Sequence, residues 1–224
     1  MLKTLGLLVE ECNRGKNSQQ IRARVCGYSI MDRRPIHPPP IVSLCGPDAC
    51  ESRPLVVFTS LWSSDLSVNV SISNNRNQGP TLSYIPGTDA QEYRVIPGEG
   101  YILSQMLMGA LVTTGIFLLD NQNREGIFFI FKDLAVRSSG LYRLKFELYD
   151  PFSKAYGSPP MATVVSDVFQ VFSPKTYPGI TPTTSLSRCF AQQGAKIRLR
   201  PNANIARNDT GGDKTVSPTV DDDH

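Results

Sequence analysis

The stretch LYRLKFELYD, residues 141–150, alternates apolar and polar side chains along almost its whole length. Successive side chains of an extended chain point to opposite faces, so a period of two predicts a strand with one buried face. The residues expected to face inward are Tyr142, Leu144, Phe146 and Leu148. The charged residues expected to face solvent are Arg143, Lys145 and Glu147. This stretch therefore predicts a β-strand that lies against a hydrophobic core.

Further strands are predicted on both sides of this stretch. Three segments are apolar on both faces, as in the middle of a sandwich: 54–62, 110–119 and 127–136. Three more segments predict strands: 1–12, 66–72 and 165–172. Polar, glycine-containing turns at 120–126 and 137–140 separate neighbouring strands. The pattern predicts an all-β fold, an immunoglobulin-like β-sandwich.

Four segments depart from this pattern. Residues 73–100 are long, polar and rich in Gly and Pro, which predicts a loop insertion. Residues 183–194 predict a short C-terminal helix, with Thr183 or Thr184 as its N-cap and Gly194 as its stop. Residues 196–200 predict a basic strand after it. The polar, acidic residues 201–224 predict a disordered tail, so the expected division is one domain over 1–200 and a tail over 201–224.

The charge is unevenly distributed along the chain. The 224 residues carry a net charge of +3, but segment 201–224 contains five aspartates against Arg207 and Lys214. The first 200 residues are therefore the basic part of the molecule. A basic body fits an anionic partner, nucleic acid above all, although ordinary solubility charge explains the same numbers.

No pattern in the chain predicts catalysis or a cofactor. The two histidines, His37 and His224, lie in no nucleophile motif, and no phosphate-cradling glycine motif is present. Cys45 and Cys50 could supply half of a zinc site only with further ligands such as Cys26 and His37, and buried or loop thiols are the commoner case. We therefore expect no enzyme, no metal and no cofactor.

The sequence also predicts an intracellular protein without a membrane partner. The apolar runs are shorter than the roughly 20 residues that cross a bilayer. At the N-terminus, Glu10 and Glu11 interrupt the apolar segment that a signal peptide would need. The five cysteines are an odd number in a chain of this size, which does not favour a disulfide framework.

Two basic clusters are the main candidates for binding residues. The first cluster contains Arg22, Arg24, Arg33 and Arg34, and the second contains Arg188, Lys196, Arg198 and Arg200. Arginine suits phosphate because its planar fork donates two parallel hydrogen bonds. Pro35 and Pro38–Pro40 favour a stiff, extended arm after Arg34. Such an arm either presents its arginines to a ligand or packs along the sandwich with its arginines paired, and composition does not decide between the two.

Four segments resemble the fungal velvet domain. They are IRARVCGYSIMDRRPIHPPPIVSL (21–44), GIFFIFKDLAVRSSGLYRLKFELYD (126–150), VFQVFSPKTYPGI (168–180) and TSLSRCFAQQGAKIRLR (184–200). Their order and spacing match that family from about residue 5 to residue 200. Within the family, LWSSDLSVNVSI after RPLVVF is most similar to the velvet-like protein B branch, with the velvet-like C branch a near rival.

The resemblance implies a fold, a function and partners. Velvet domains are similar to the immunoglobulin-like Rel-homology domain and act as transcriptional regulators of fungal development, sporulation and secondary metabolism. They form homo- and heterodimers, and some bind double-stranded DNA through the basic N-terminal arm. The B-type member also joins a nuclear complex with a methyltransferase-like regulator. The resemblance therefore implies a protein of nucleus and cytoplasm whose partners are DNA, other velvet proteins and such a regulator.

Residue by residue, the resemblance leaves two functions to weigh. Arg33 and Arg34 match the basic pair of the DNA-binding members, and Arg22 and Arg24 match the family's R-A-R element. The lysine positions upstream of the basic pair fall at uncharged residues here, about Ser29 and Met31. The alternative is therefore a docking protein that holds a DNA-binding velvet partner and a regulatory enzyme. No long basic import signal is visible, so we expect nuclear import to depend on a partner.

Overall fold

The computed structural model describes residues 6–9, 21–27, 32–45, 54–75, 81–84, 93–96, 102–152 and 159–200. The first eight strands are β1 Gly6–Val9, β2 Arg22–Arg24, β3 Ile41–Cys45, β4 Val56–Ser63, β5 Ile72–Asn75, β6 Thr81–Tyr84, β7 Tyr93–Ile96 and β8 Ile102–Gln105. They are followed by β9 Leu107–Met108, β10 Val112–Thr114, β11 Ile116–Leu119, β12 Glu125–Ile130, β13 Ala135–Val136, β14 Gly140–Tyr149, β15 Ala162–Val165 and β16 Phe169–Phe172. The helix is α1, Ser185–Gln192.

Two sheets face each other across the main core, which confirms the predicted all-β sandwich. The smaller sheet has the order β1-β3-β12-β11, and the larger has the order β10-β4-β14-β16-β2, with β15 also paired to β14. Phe129 of the smaller sheet and Phe146 of the larger one are both fully buried in this core. Phe131, which follows β12, packs its ring 5.2 Å from that of Phe146. Because each sheet buries one face against the other, apolar side chains recur at every second position.

β14 lies at the centre of the larger sheet, as its alternation predicts. Leu144, Phe146 and Leu148 are completely buried, and Tyr142 packs against the edge of the core. β14 pairs along eight residues with β4 and on its other side with β15 and β16. On the outer face, Lys145 lies 2.8 Å from Glu147 and 5.2 Å from the centre of the Trp62 ring.

The predicted helix covers the outer face of the smaller sheet. The Thr184 hydroxyl accepts a hydrogen bond from Ser187 N at 3.1 Å, so of the two threonines considered it is Thr184 that caps α1. Phe190 is fully buried, with its ring 4.5 Å from that of Phe128 on β12. Gly194 adopts a φ of +93°, the left-handed conformation that commonly ends a helix. α1 is thereby fixed to the sandwich and determines where the chain after it runs.

Several predicted boundaries were wrong. The predicted strand 66–72 is only partly formed: Val68 and Ile72 are exposed, the segment pairs with β4 through a single bridge between Asn69 and Trp62, and β5 begins only at Ile72. Asp65 and the serines on either side of it bond the backbone locally, which ends β4. Segment 110–119 divides at Gly115 into β10 and β11, which belong to different sheets. The predicted strand 127–136 is interrupted, since β12 ends at Ile130 and β13 covers only Ala135–Val136. The predicted strand 165–172 is divided between the last residue of β15 and the four residues of β16.

The predicted strand 196–200 was also wrong. Its backbone joins no sheet in the described structure, and Ile197 N instead donates to Ala195 O at 2.7 Å. The loop insertion and the tail stay predictions. β6 pairs with β7 within 73–100, and β5 at the start of that segment pairs with β8, which follows it. The other residues of the segment and all of 201–224 lie outside the described residues. No helix in the described ranges is long and apolar enough to cross a membrane.

Candidate nucleic-acid interface

The arm between Arg33 and Ile41 packs along the sandwich and still exposes a basic side chain. Ile36 N donates to Leu134 O at 2.7 Å, and Phe131 N donates to Pro40 O at 2.9 Å. Pro38, Pro39 and Pro40 are buried, whereas Arg34 is exposed and Arg33 is half-buried. The prolines of the arm therefore pack along the sandwich, as one of the two alternatives predicts, while Arg34 before them remains exposed.

His37 anchors the arm to the edge of the larger sheet. Its N–H donates to Arg22 O at 3.1 Å, and Arg22 N donates to His37 O at 3.0 Å. β2, which contains Arg22, is the last strand of that sheet, so the arm extends the sheet by a single bridge. Arg22 and Arg24 fall on the outer face of β2, because Ala23 between them is buried.

The segment after α1 is held beside the arm by one buried hydroxyl. Arg200 N donates to Thr183 Oγ1 at 2.7 Å, and the same hydroxyl donates to Arg200 O at 3.3 Å. Thr183 is only 3% exposed. Ile197 packs against the small core beneath α1, so the basic residues between it and Arg200 are placed by both contacts.

The two basic clusters meet in a pair of adjoining pockets. One pocket has a volume of about 280 Å³ and the other about 120 Å³, and both are lined by Pro35, His37, Arg198 and Arg200. Arg24, Arg33 and Arg34 line the smaller pocket, and Lys196 lines the larger one. We call these two pockets together the basic cleft. Sequence left open whether the clusters are neighbours, and the fold brings six of the eight predicted residues together there.

The other two predicted residues have different surroundings. Arg22 contributes its backbone to the bridge with His37, and its half-buried side chain does not line the two pockets of the described structure. Arg188 is exposed on α1 and also lies outside the described lining of the cleft. Arg188 is consequently a useful reference residue, since it carries the same charge on the same domain.

Several arginine atoms in the cleft lack acceptors. The Nε atoms of Arg24, Arg33 and Arg200 are sealed from solvent and have no hydrogen-bond partner within the described ranges. Arg33 also has an ion pair with Asp133, but the separation is 3.8 Å and both side chains are about one third exposed. A surface pair of that length contributes little. Buried donors without acceptors are rare in folded proteins, so this cleft is suited to a ligand that supplies several oxygen acceptors.

Three further residues of the cleft were not predicted as binding residues. Lys132 and Tyr177 line its two pockets, and their separate positions in the chain offered no signal. His37 was considered only as a possible metal ligand or nucleophile. Burial lowers the pKa of His37, and the charge of Arg200 lowers it further, while the carbonyl groups of Thr181 and Pro182 act in the opposite direction.

Neither metal chemistry nor disulfide chemistry is supported by the described cysteines. Cys26, Cys45 and Cys189 are free thiols, and no group of three potential ligands gathers in the part of the chain that the structure describes. Burial raises the pKa of the Cys26 thiol, which favours its protonated, unreactive form. Cys50, the other half of the candidate zinc pair, lies outside the described residues.

A second surface is apolar and lies where β10 and β11 end their sheets. Four large apolar residues of these strands are exposed: Val112, Ile116, Phe117 and Leu119. On β4, the exposed Phe58 lies directly opposite Val112. The side-chain amide of Gln193 bonds both the N–H and the carbonyl of Leu119 at 2.8 Å, as a neighbouring strand would. We call residues 112–119 the apolar edge.

Comparison with known proteins identifies the family. The sequence profile of the velvet factor family matches residues 17–204. The chain is 27% identical to the B-type velvet complex protein of Aspergillus flavus, over 81% of this chain and 76% of that protein. It is 35% identical to the spore development regulator vosA of Beauveria bassiana, over 84% of this chain and 66% of that protein.

A third relative is the developmental and secondary metabolism regulator veA of Emericella nidulans. It is 32% identical over 88% of this chain, which spans only 35% of that longer protein. The vosA relative is a regulator of spore development and the veA relative a regulator of development and secondary metabolism. The B-type velvet complex proteins of Aspergillus flavus and Emericella nidulans agree with the predicted B branch. The chain belongs to the velvet family.

Proposed function

We propose that this velvet protein binds double-stranded DNA through the basic cleft and acts as a homo- or heterodimer. The observation that carries the proposal is the convergence of seven cationic residues from four separate segments on one cleft. Asp133 is the only acidic residue among those that line the described pockets. The cleft has an excess of positive charge, and several of its guanidinium groups lack a hydrogen-bond acceptor. Both properties match the phosphates of a nucleic acid backbone.

The fixed backbone of the cleft also suits the binding of phosphates. The backbones of the arm and of the segment that ends at Arg200 are held by hydrogen bonds, so the backbone that presents the arginines loses little conformational entropy on binding. Phosphate contacts position a protein on DNA, whereas base contacts specify the sequence. We therefore assign the cleft a role in affinity for DNA and in orientation on it. Sequence preference would come from the velvet domain of the partner chain in the dimer.

The apolar edge supports the dimer part of the proposal. Exposed apolar strands at the end of a sheet tend to pair with another chain. A stable contact would bury roughly 1,000–2,000 Å² in total. Phe58 and the exposed residues of 112–119 would supply part of that buried area.

The same edge keeps a docking protein as the second candidate function. In that case, the chain holds a DNA-binding velvet partner and a methyltransferase-like regulator and touches DNA little itself. The uncharged Ser29 and Met31, at the positions where DNA-binding members have lysines, favour this alternative.

Fluorescence anisotropy with double-stranded DNA separates the two functions. Wild type is compared with Arg33→Ala/Arg34→Ala, each alone and mixed with a second velvet protein. If wild type alone binds and the double variant binds more weakly with a shallower salt dependence, the chain is a DNA-binding protein. If wild type binds only in the mixture and the double variant is indistinguishable there, the chain is the docking protein.

We also propose a nuclear and cytoplasmic protein whose nuclear import depends on a partner, and which takes part in sporulation and secondary metabolism. The absence of a long basic import run in the sequence supports this proposal. A fluorescent fusion expressed in cells without other velvet proteins tests it. We expect that fusion to stay mainly cytoplasmic, and nuclear accumulation there would contradict the dependence on a partner.

A further inference from the structure

His37 occupies a central place in the basic cleft, because it lines both of its pockets. Its side chain is held in the cleft, since the residue is only 7% exposed and its backbone is hydrogen-bonded to that of Arg22. The residues next to it are also buried: Ile36 on one side and Pro38 on the other. A titratable group is thus built into the floor of a surface that carries excess positive charge.

The Nε2 atom of His37 is a buried polar atom that makes no hydrogen bond to any described residue. The smaller pocket combines this atom with the three arginines whose Nε atoms are in the same situation: Arg24, Arg33 and Arg200. Leaving such groups unmatched costs free energy, and four of them around one pocket is not explained by packing. A single ligand with several acceptor oxygens would satisfy them together when these side chains turn toward the pocket.

The charges that face His37 define the kind of ligand. Arg198, Arg200 and Lys196 approach from the segment after α1. Arg24 approaches from β2, Arg33 and Arg34 from the arm, and Lys132 from the segment after β12. Asp133 is the one acidic residue that lines these pockets in the described chain, and it lies beside Arg33. The uncharged Tyr177 completes the smaller pocket, whose volume of about 120 Å³ has room for one phosphate group.

We propose that the smaller pocket is a phosphate subsite with His37 as its floor, and that phosphate binding there is coupled to protonation of His37. The inference rests on the proposed function only for the source of the phosphate, which would be the DNA backbone. With the pocket empty, burial and, second, the charge of Arg200 lower the pKa of His37. A bound oxyanion offsets part of the positive charge around His37 and favours the imidazolium, which then donates a hydrogen bond from each ring nitrogen.

The coupling has a definite direction. Because binding favours the protonated form of His37, affinity for the oxyanion increases as the pH falls toward the pKa of the occupied site. Each unit by which the bound ligand raises the pKa of His37 corresponds to about a tenfold gain in affinity at low pH. A phosphodiester keeps its single charge over this range, so the increase reports on the protein.

Proton NMR tests the subsite directly in the full chain, which contains only two histidines. The imidazole resonances of His37 and His224 are followed against pH, and the variant His224→Gln assigns them. The probe is sulfate, a tetrahedral dianion that does not titrate in this range, and chloride at equal ionic strength is its control. We expect sulfate to raise the pKa of His37 and leave that of His224 unchanged. If chloride raises it equally, or sulfate does not raise it, the inference is overturned.

DNA binding by wild type and His37→Gln, whose side chain remains polar but cannot titrate, forms the second arm. Between about pH 7.5 and about pH 5.5, we expect wild-type affinity to rise by several-fold and that of the variant to stay flat. The same rise in both proteins would overturn the coupling while leaving DNA binding intact. If neither protein binds DNA but sulfate still raises the pKa of His37, the proposed function fails and the subsite stands. A variant that does not fold is recognised by its thermal unfolding, and the NMR titration of the wild type then decides.

Discussion

At the scale of single residues, Asp65 determines how the chain leaves β4. Its Oδ1 accepts hydrogen bonds from the Ser67 N–H at 3.1 Å and the Ser67 hydroxyl at 2.8 Å, and also from the Ser63 hydroxyl. The Ser63 hydroxyl is the largest cause that lowers the pKa of Asp65 from 3.8 to about 2, followed by the two groups of Ser67. The turn is therefore tied to the ionised carboxylate.

We predict that Asp65→Asn lowers the stability of the folded protein in a pH-dependent way. The folded protein binds fewer protons at Asp65 than the unfolded chain between pH 3.8 and about pH 2. The contribution is thus complete above pH 3.8 and is lost as the pH falls to about 2. Urea unfolding midpoints of wild type and variant over this range measure it. A difference that stays constant down to the lowest pH would contradict the assignment.

Asp65 also shows why part of the sequence was misinterpreted. The segment 66–72 alternates apolar and polar residues, which is the pattern of a strand. The hydrogen bonds of Asp65 and Ser63 form a turn at its start, where Leu66 takes a φ of +63°, and only Asn69 then bridges to β4. Short-range side-chain bonds of this kind compete with strand pairing, and periodicity does not report them.

At the scale of secondary-structure elements, two neighbouring threonines have different tasks. Thr183 bonds the backbone of Arg200 and so places the end of the basic segment, whereas Thr184 caps α1. We predict that Thr183→Val and Thr184→Val each lower the free energy of unfolding by about 1 kcal/mol. Only Thr183→Val should weaken DNA binding several-fold, since it alone releases Arg200.

Anisotropy and thermal unfolding of the two variants measure this separation. Because both variants make the same chemical change at adjacent positions, each is the control for the other. Equal losses of DNA affinity would show that α1 as a whole, rather than the contact with Arg200, positions the cleft. The prediction depends on a contact between residues 17 positions apart, which sequence patterns do not reveal.

Elements were predictable where one interaction dominates and unpredictable where several compete. β14 follows from its alternation because core burial decides its register, and α1 follows from its cap and its apolar face. The segment 196–200 resembles a strand in composition. It is held instead by the hydrogen bond from Arg200 N to Thr183 and by the packing of Ile197 against the core beneath α1. The sequence identifies the arginines of the cleft as candidate binding residues. Their proximity in space depends on the topology of two sheets and a helix, which the sequence pattern does not give.

At the scale of the whole molecule, the apolar edge predicts association. Phe117 on β11 and Leu141 on β14 are both 55% exposed, but only Phe117 belongs to the edge. We predict that Phe117→Glu shifts the protein toward monomer, because a buried carboxylate in the contact costs several kcal/mol. Leu141→Glu is the matched control and should leave association unchanged. Sedimentation velocity of each variant, alone and mixed with a second velvet protein, measures this association. If the two variants associate equally, the contact lies elsewhere.

We propose that two distant clusters of basic residues act as one phosphate-binding surface. The salt dependence of DNA binding tests it with Arg24→Gln from the first cluster, Arg198→Gln from the second, their combination, and Arg188→Gln as the reference outside the cleft. We predict that each single cleft variant reduces the log–log salt slope by about 0.9 and the combination by about 1.8, with no change for Arg188→Gln. If Arg188→Gln weakens binding as much as Arg198→Gln does, the basic cleft is not the DNA-binding surface.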